Sequence, residues 1–269
     1  MAETALTEQP RRAGRIKRAA RFLWTLLPER QRRIWIRYGW LAFLLIGISV
    51  ALIDLPLAKA MAKKSETIHS FFAGITDIGK STFWLVSIAL AVPVLWYLGD
   101  SAPARGVRRV YRWAINYLIF AFAAIAISGL TVNLVKLLIG RARPRMWFRE
   151  EIFGFQPPGL SSDFQSFPSG HASTMMAVSA ALALFLPRWR TPILCTGLFM
   201  AMTRVIVNAH YLGDVIAASF LTIFVTTLIA WYCAARGWVF EAGPGQTIRC
   251  RTEGRFLAGK LRRKLTSRR

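Results

Sequence analysis

Only three histidines occur in the 269 residues, and two of them stand in polar clusters that interrupt long apolar runs. His171 closes the run Pro168-Ser169-Gly170-His171, and His210 stands between Arg204 and Asp214. Upstream, Lys136 is followed by Arg143 and Pro144. Imidazole takes up or gives a proton near neutral pH and can attack as a nucleophile. Arginine offers planar paired donors and lysine a compact charge, and both suit phosphate oxygens. Two imidazoles, a carboxylate and three fixed cations amount to a phosphate-transfer site.

Each cluster has a local logic. Pro144 stops Arg143 from continuing a helix. A helix running to about residue 138 would leave Lys136 at its tip, with Arg143 returning over it from the loop. The same pair is also what snorkelling cations at a helix end look like. Pro168-Ser169-Gly170 precedes an apolar run that begins at Ala172. A helix N-terminus there turns unpaired N–H groups toward an anion. Gly170 lets the backbone approach closely, Ser169 adds a hydroxyl, and His171 in the first turn can reach an atom attached to the phosphate. The plainer alternative is a serine-capped helix with an interfacial histidine. Asp214 lies four residues after His210, on the same face if that turn is helical. A carboxylate bonded to one ring nitrogen would fix the tautomer and leave the other nitrogen basic and aimed. Arg204, about two turns before His210, adds the third cation; a purely structural His–Asp pair is the alternative.

The elements that position these clusters are membrane helices. The hydrophobic fraction is 54% and the mean hydropathy +0.38, above the ~45–50% of soluble domains. A bilayer core of ~30 Å takes about 20 apolar residues per helix. Six stretches approach that length, at 39–58, 81–98, 114–135, 171–187, 191–208 and 213–235. The expected fold is an all-α, six-transmembrane-helix bundle over 39–235, between a basic amphipathic tail at 1–38 and a basic tail at 236–269. Ala58-Lys59-Ala60 resembles a cleavage site, but the first stretch has full spanning length and reads as an uncleaved anchor. Cys195, Cys233 and Cys250 give no disulfide framework.

The net charge of +23 does not point to nucleic acid, because no recognition motif accompanies it. Ten Lys/Arg precede residue 39 and ten follow residue 235, with further groups at Arg105, Arg108, Arg109 and Arg112 and at Arg188 and Arg190. Six spans put all four groups on one side, which the positive-inside rule makes cytoplasmic, with both termini there. Anionic lipid headgroups are the expected partners of these tails. Lys136, Arg141, Arg143, Arg145, Arg149 and Arg204 then face outward, against that bias, and anion binding supplies a reason. The outer segment 59–80 reads as a short helix against the membrane. The outer loop 145–167 carries Trp147, Phe148, Phe153, Phe155, Phe164 and Phe167 at headgroup height, either to guide a lipid substrate or as an ordinary aromatic belt.

Together, Lys136-x6-Arg143-Pro144, Pro168-Ser169-Gly170-His171 and Arg204-x5-His210-x3-Asp214 resemble, in order and internal spacing, the three signature motifs of the type 2 phosphatidic acid phosphatase family of membrane-bound, haloperoxidase-like lipid phosphatases. Thr203 stands where that family usually has serine; it keeps a hydroxyl and adds a methyl. The resemblance implies a phosphohistidine formed on His210, oriented by Asp214, with His171 protonating the leaving oxygen and then helping to activate water. It also implies that Lys136, Arg143, Ser169, Gly170 and Arg204 hold the phosphate, with no metal or other cofactor. The substrate would be a lipid phosphate or diphosphate, met at the outer face of the cytoplasmic membrane. Undecaprenyl diphosphate is slightly favoured, beside phosphatidylglycerol phosphate, phosphatidic acid and the 1-phosphate of lipid A. A lipid phosphotransferase using the same intermediate and a non-catalytic lipid-phosphate carrier are the rival readings.

Overall fold

The computed structural model describes residues 24–251; the outer parts of both basic tails, 1–23 and 252–269, lie outside the described residues. The described chain is mainly helical: α1 (Glu29–Ile48), a π-helical stretch (Ser49–Ile53) leading directly into α2 (Asp54–Ala62), α3 (Glu66–Thr76), α4 (Ser81–Asp100), α5 (Arg105–Ile139), α6 (Pro144–Glu150), α7 (Gly170–Phe185), α8 (Arg190–Ile206) and α9 (Leu212–Ala235). A two-stranded antiparallel hairpin follows, β1 (Phe240–Gly243) with β2 (Thr247–Cys250).

Among the described residues, four helices are long and apolar enough to cross a membrane: the continuous run Glu29–Ala62, then α4, α5 and α9. Their outward side chains suit hydrocarbon rather than water. Trp40, Phe43, Leu52, Leu90, Leu130 and Leu138 are all largely exposed, far beyond the scattered apolar residues of a soluble surface. The count of six spans is therefore not reproduced. The fourth and fifth expected stretches are helices of 16 and 17 residues, which at 1.5 Å per residue reach only ~24–26 Å.

Of the two short helices, α7 is the inner one, while α8 exposes Leu198 and Phe199. Most of α7 is buried, through Ala172, Ser173, Thr174, Met175, Met176 and Ala177 among others, and it packs against α5, α8 and α9. Small side chains let membrane helices approach closely. At Gly197 on α8, an added Cβ would stand 2.1 Å from Ser179 Oγ on α7, so only glycine fits that crossing. α9 is the other central element and touches α1, α5, α7, α8 and β1.

Residues next to the expected membrane domain join its packing. α1 begins at Glu29, and Trp35 meets Phe220 and Phe224 of α9 edge-on, with ring centroids 5.7 and 5.1 Å apart. At the other end, the hairpin inserts Val239 and Phe240 into the cluster around Trp113 and Phe120. The Trp113 indole N–H donates to Val239 O at 3.2 Å. The hairpin adds a small β element to an expected all-helical chain.

Candidate active site

The C-terminal ends of α5 and α8 and the N-terminal ends of α7 and α9 meet at one end of the bundle, and there they bring the three motifs together. α5 stops at Ile139 because Gly140 turns left-handed, with φ +59°, and caps it through a hydrogen bond to Lys136 O. The following chain crosses closely: an added Cβ at Gly140 would stand 2.1 Å from Gln156 O. The aromatic loop is stapled back over this segment, with Gln156 N donating to Gly140 O at 2.6 Å and Gly159 N to Leu137 O at 2.8 Å. Ser166 N donates to Arg141 O at 3.0 Å.

Lys136 is buried at the tip of α5, and a Cβ built on Gly170 would lie 3.6 Å from its Nζ. The first and second motifs thus meet through that lysine and the start of α7. Ser169 is the N-cap and accepts from Ala172 N at 3.4 Å; its hydroxyl hydrogen is not used in that bond. His171, in the first turn, is half-buried. The turn after α3 lies against it, since a Cβ at Gly79 would be 3.2 Å from the His171 ring. Beside that turn, Asp77 and Lys80 form an exposed pair at 2.9 Å, and Lys80 holds the Asp77 carboxyl below its ordinary range.

Arg143 is the N-cap residue of α6, where its N–H donates to Asp163 O at 2.8 Å. Its guanidinium is drawn down from the ordinary value by burial and by Arg145, with partial relief from Asp214 and Asp163. Arg204, in the last turn of α8, donates from Nη1 to Thr76 Oγ1 at 3.3 Å. Lys136, Arg143 and Arg204 lie near enough to repel one another, and the Nε of Arg143 and of Arg204 is buried with no protein partner. A buried donor without an acceptor is costly. Two such donors, beside the buried Lys136 ammonium, make a seat for a polyanion. Arg145 is engaged elsewhere, with Asp163 at 2.6 Å from Nε. Thr203 adjoins this cluster through Thr76: its Oγ1 donates to Met200 O at 2.6 Å or to Thr76 Oγ1 at 3.0 Å, the hydroxyl that also receives Arg204.

The third motif departs from the expected helical turn. α8 ends at Ile206, and Asn208 adopts φ +55°, a left-handed conformation that asparagine tolerates better than most residues. Its amide donates to Ala58 O at 3.1 Å. The chain then restarts as α9 with Tyr211 as N-cap and Asp214 at N3, so His210 and Asp214 do not share one helical face. The Asp214 carboxylate caps its own helix, accepting from Tyr211 N at 2.9 Å. It also accepts from Ser166 Oγ at 2.5 Å and Arg141 Nη1 at 2.7 Å. His210 Nδ1 stands 3.6 Å from Asp214 Oδ2, beyond hydrogen-bond range, but 2.9 Å from Ser166 O. A carbonyl only accepts, so Nδ1 carries the hydrogen and Nε2 keeps its lone pair. Burial holds His210 down to about 4 against an ordinary 6.5, although the nearby Asp214 carboxylate pulls the other way.

Arg141, Asp54 and Ser166 belong to this network, and the motif reading omitted them as site residues. Arg141 is fully buried and joins two carboxylates, Asp214 through Nη1 and Asp54 through Nη2, each at 2.7 Å. Desolvation pulls its guanidinium down, but the two carboxylates win and hold it above the ordinary value. The signal for Asp54 was its place as a lone carboxylate inside an apolar stretch, where ionisable groups are rare. Among the described residues no group of three or more His, Cys, Asp or Glu is placed to hold a metal.

Comparison with known proteins agrees with the motifs. The PAP2 superfamily sequence model matches residues 116–238, which contain all three. A lipid A 1-phosphatase of Rhizobium etli is 33% identical over 206 residues, covering 74% of this chain and 85% of that protein. A lipid A 1-phosphatase of Rhizobium johnstonii is 31% identical over 237 residues, covering 83% and 94%. The crystal structure of a transmembrane PAP2-type phosphatidylglycerolphosphate phosphatase from Bacillus subtilis aligns with a TM-score of 0.43 at 16% identity, over 71% of this chain and 93% of that one. The chain belongs to the PAP2 superfamily, the type 2 phosphatidic acid phosphatases its motifs resemble, and is a membrane phosphatase acting on lipid phosphates.

Proposed function

We propose that this protein hydrolyses the 1-phosphate of lipid A, without a metal, through a phosphohistidine on His210. The observation that carries the mechanism is the hydrogen bond from His210 Nδ1 to Ser166 O at 2.9 Å, which leaves the Nε2 lone pair free to attack. Nε2 forms a bond to phosphorus as the bond to the sugar oxygen breaks, and His171 gives that oxygen its proton. In the second step His171 takes a proton from water, the oxygen attacks phosphorus, and the electron pair of the N–P bond returns to Nε2. Lys136, Arg143, Arg204, the Ser169 hydroxyl and the N–H groups opening α7 hold the equatorial oxygens as charge redistributes. Asp214 acts on His210 through the Ser166 peptide and by its charge rather than by a direct bond.

The choice of lipid rests on kinship. Both relatives at 31–33% identity carry the name lipid A 1-phosphatase, and the alignments cover most of either protein. That supports lipid A 1-phosphate ahead of undecaprenyl diphosphate, which the sequence reading had favoured. The same reading places six spans in the membrane, with α7 crossing among α5, α8 and α9 and α8 lying at the outside. Both termini are then cytoplasmic and the site faces outward. Phosphate release by detergent-purified protein, compared across the four candidate lipids, tests the assignment. Lipid A 1-phosphate should give the highest kcat/KM, and a clear preference for undecaprenyl diphosphate would reverse the choice.

A further inference from the structure

We propose that Asp54 and Arg141 are positioning residues that set the tautomer and the charge beneath His210. The inference rests on His210 being the nucleophile. Asp54 lies far from the three motifs in sequence, yet it is fully buried beneath the site, where α2 leaves the π-helical stretch. Single π turns inside helices recur at functional sites, because the extra residue re-aims the side chains beside it. Here Ser49 opens the π stretch and donates from Oγ to Asp54 Oδ1 at 2.7 Å. Gly213 N, at the start of α9, donates to the same oxygen at 3.0 Å. Asp54 Oδ2 takes Arg141 Nη2 at 2.7 Å. Both carboxylate oxygens are therefore committed, and two of the three partners, Gly213 and Arg141, lead to the third motif.

Arg141 completes the link. One guanidinium nitrogen holds Asp54 and the other holds Asp214, while the Tyr211 ring covers it at 4.5 Å from the centroid. Its backbone carbonyl accepts from Ser166 N at 3.0 Å. Ser166 is thus gripped at its N–H by Arg141 and at its hydroxyl by Asp214, which leaves its carbonyl aimed at His210 Nδ1. Displacing any member shifts the one acceptor that fixes the imidazole.

Charge gives the arrangement a second role. One guanidinium between two carboxylates would be neutral with Asp214 alone; Asp54 makes the buried cluster net negative. When Nε2 bonds to phosphorus the ring becomes cationic and keeps its hydrogen on Nδ1. A fixed negative charge close by, in a site of low dielectric, favours that state. Without such a role, a second carboxylate in a membrane helix is a cost with no return.

Asp54→Asn keeps the shape and removes the charge. In full-length protein purified in detergent, with lipid A 1-phosphate as the probe, kcat should fall about tenfold to a hundredfold, the range found for partners that orient metal-binding histidines. KM should stay within about threefold, because Asp54 does not touch the phosphate. Residues acting through one chain are non-additive, so Asp54→Asn should lower kcat by less than about threefold in an Asp214→Asn background. A folded Asp54→Asn protein with kcat within about twofold of the parent, a loss confined to KM, or losses that multiply with Asp214→Asn would each overturn the proposal. If Asp54→Asn does not fold, Ser49→Ala and Arg141→Lys carry the same test, with the same kcat signature expected. His210→Ala runs in parallel: phosphate release that survives in it removes the nucleophile itself. Loss there with full activity in Asp54→Asn removes only the positioning role.

Discussion

His210 is tied by one hydrogen bond whose acceptor permits only one tautomer, and its ring is almost wholly out of water. The pH behaviour should show this. Because burial holds its folded value at about 4, the acid limb of kcat/KM set by His210 as the proposed nucleophile belongs near pH 4. A limb near 6.5 would mean an ordinary, solvated imidazole. Stability follows the same sign. Between 6.5 and about 4 the unfolded chain binds a proton at this residue and the folded chain does not, so the unfolded state is favoured as pH falls. The contribution is fully present above about 6.5 and lost progressively toward about 4. Thermal midpoints in detergent should drop over that window, and His210→Gln should flatten the dependence. At this scale the sequence was legible wherever a residue type is rare. Two histidines, a lysine and two arginines at fixed spacings were identifiable before any coordinates. Arg141 was counted among the outward cations and Asp54 was passed over, because pairing across 87 residues leaves no mark on local spacing.

Element ends, rather than element interiors, build the site. The left-handed Gly140 ends α5, Ser169 starts α7, the left-handed Asn208 ends the turn after α8, and Asp214 caps α9. Gly140→Ala should therefore be costly. A left-handed alanine costs ~1–2 kcal/mol by itself, and its Cβ would collide with the Gln156 carbonyl. A loss of at least about 2 kcal/mol is expected, read as a lower unfolding midpoint with kcat reduced in whatever remains folded. An unchanged midpoint would show that the 156–159 segment does not cross there. Helix starts were legible from Pro-Ser-Gly and from the return of apolar residues. The α8–α9 turn was not, since a four-residue spacing reads as helical until the N-cap at Tyr211 interrupts it. The expected stretches 171–187 and 191–208 lie within two residues of α7 and α8 at each end; composition did not show that helices of 16 and 17 residues reach only ~24–26 Å.

For the whole molecule, the site lies at one end of the bundle, opposite in chain direction to the start of α5 and the end of α9. The proposed topology, six crossings with cytoplasmic termini, would make that end external. In sealed cells a membrane-impermeant thiol reagent should label Gln156→Cys and spare Ala104→Cys, both positions being exposed. The reverse pattern would invert the topology. Composition made the membrane class legible from the start, whereas the hairpin after α9 was hidden because residues 236–251 are basic and short of apolar runs. In the proposed mechanism fixed cations and a single nucleophilic imidazole, rather than a metal, carry phosphate transfer. The most direct measurement is phosphate release from lipid A 1-phosphate by the purified protein in excess chelator, with His210→Ala alongside. The account predicts full release in chelator and a fall of at least about 10³-fold in the variant, losses of a nucleophile reaching ~10⁶ elsewhere. Release that requires an added divalent cation, or that survives in His210→Ala, would contradict it.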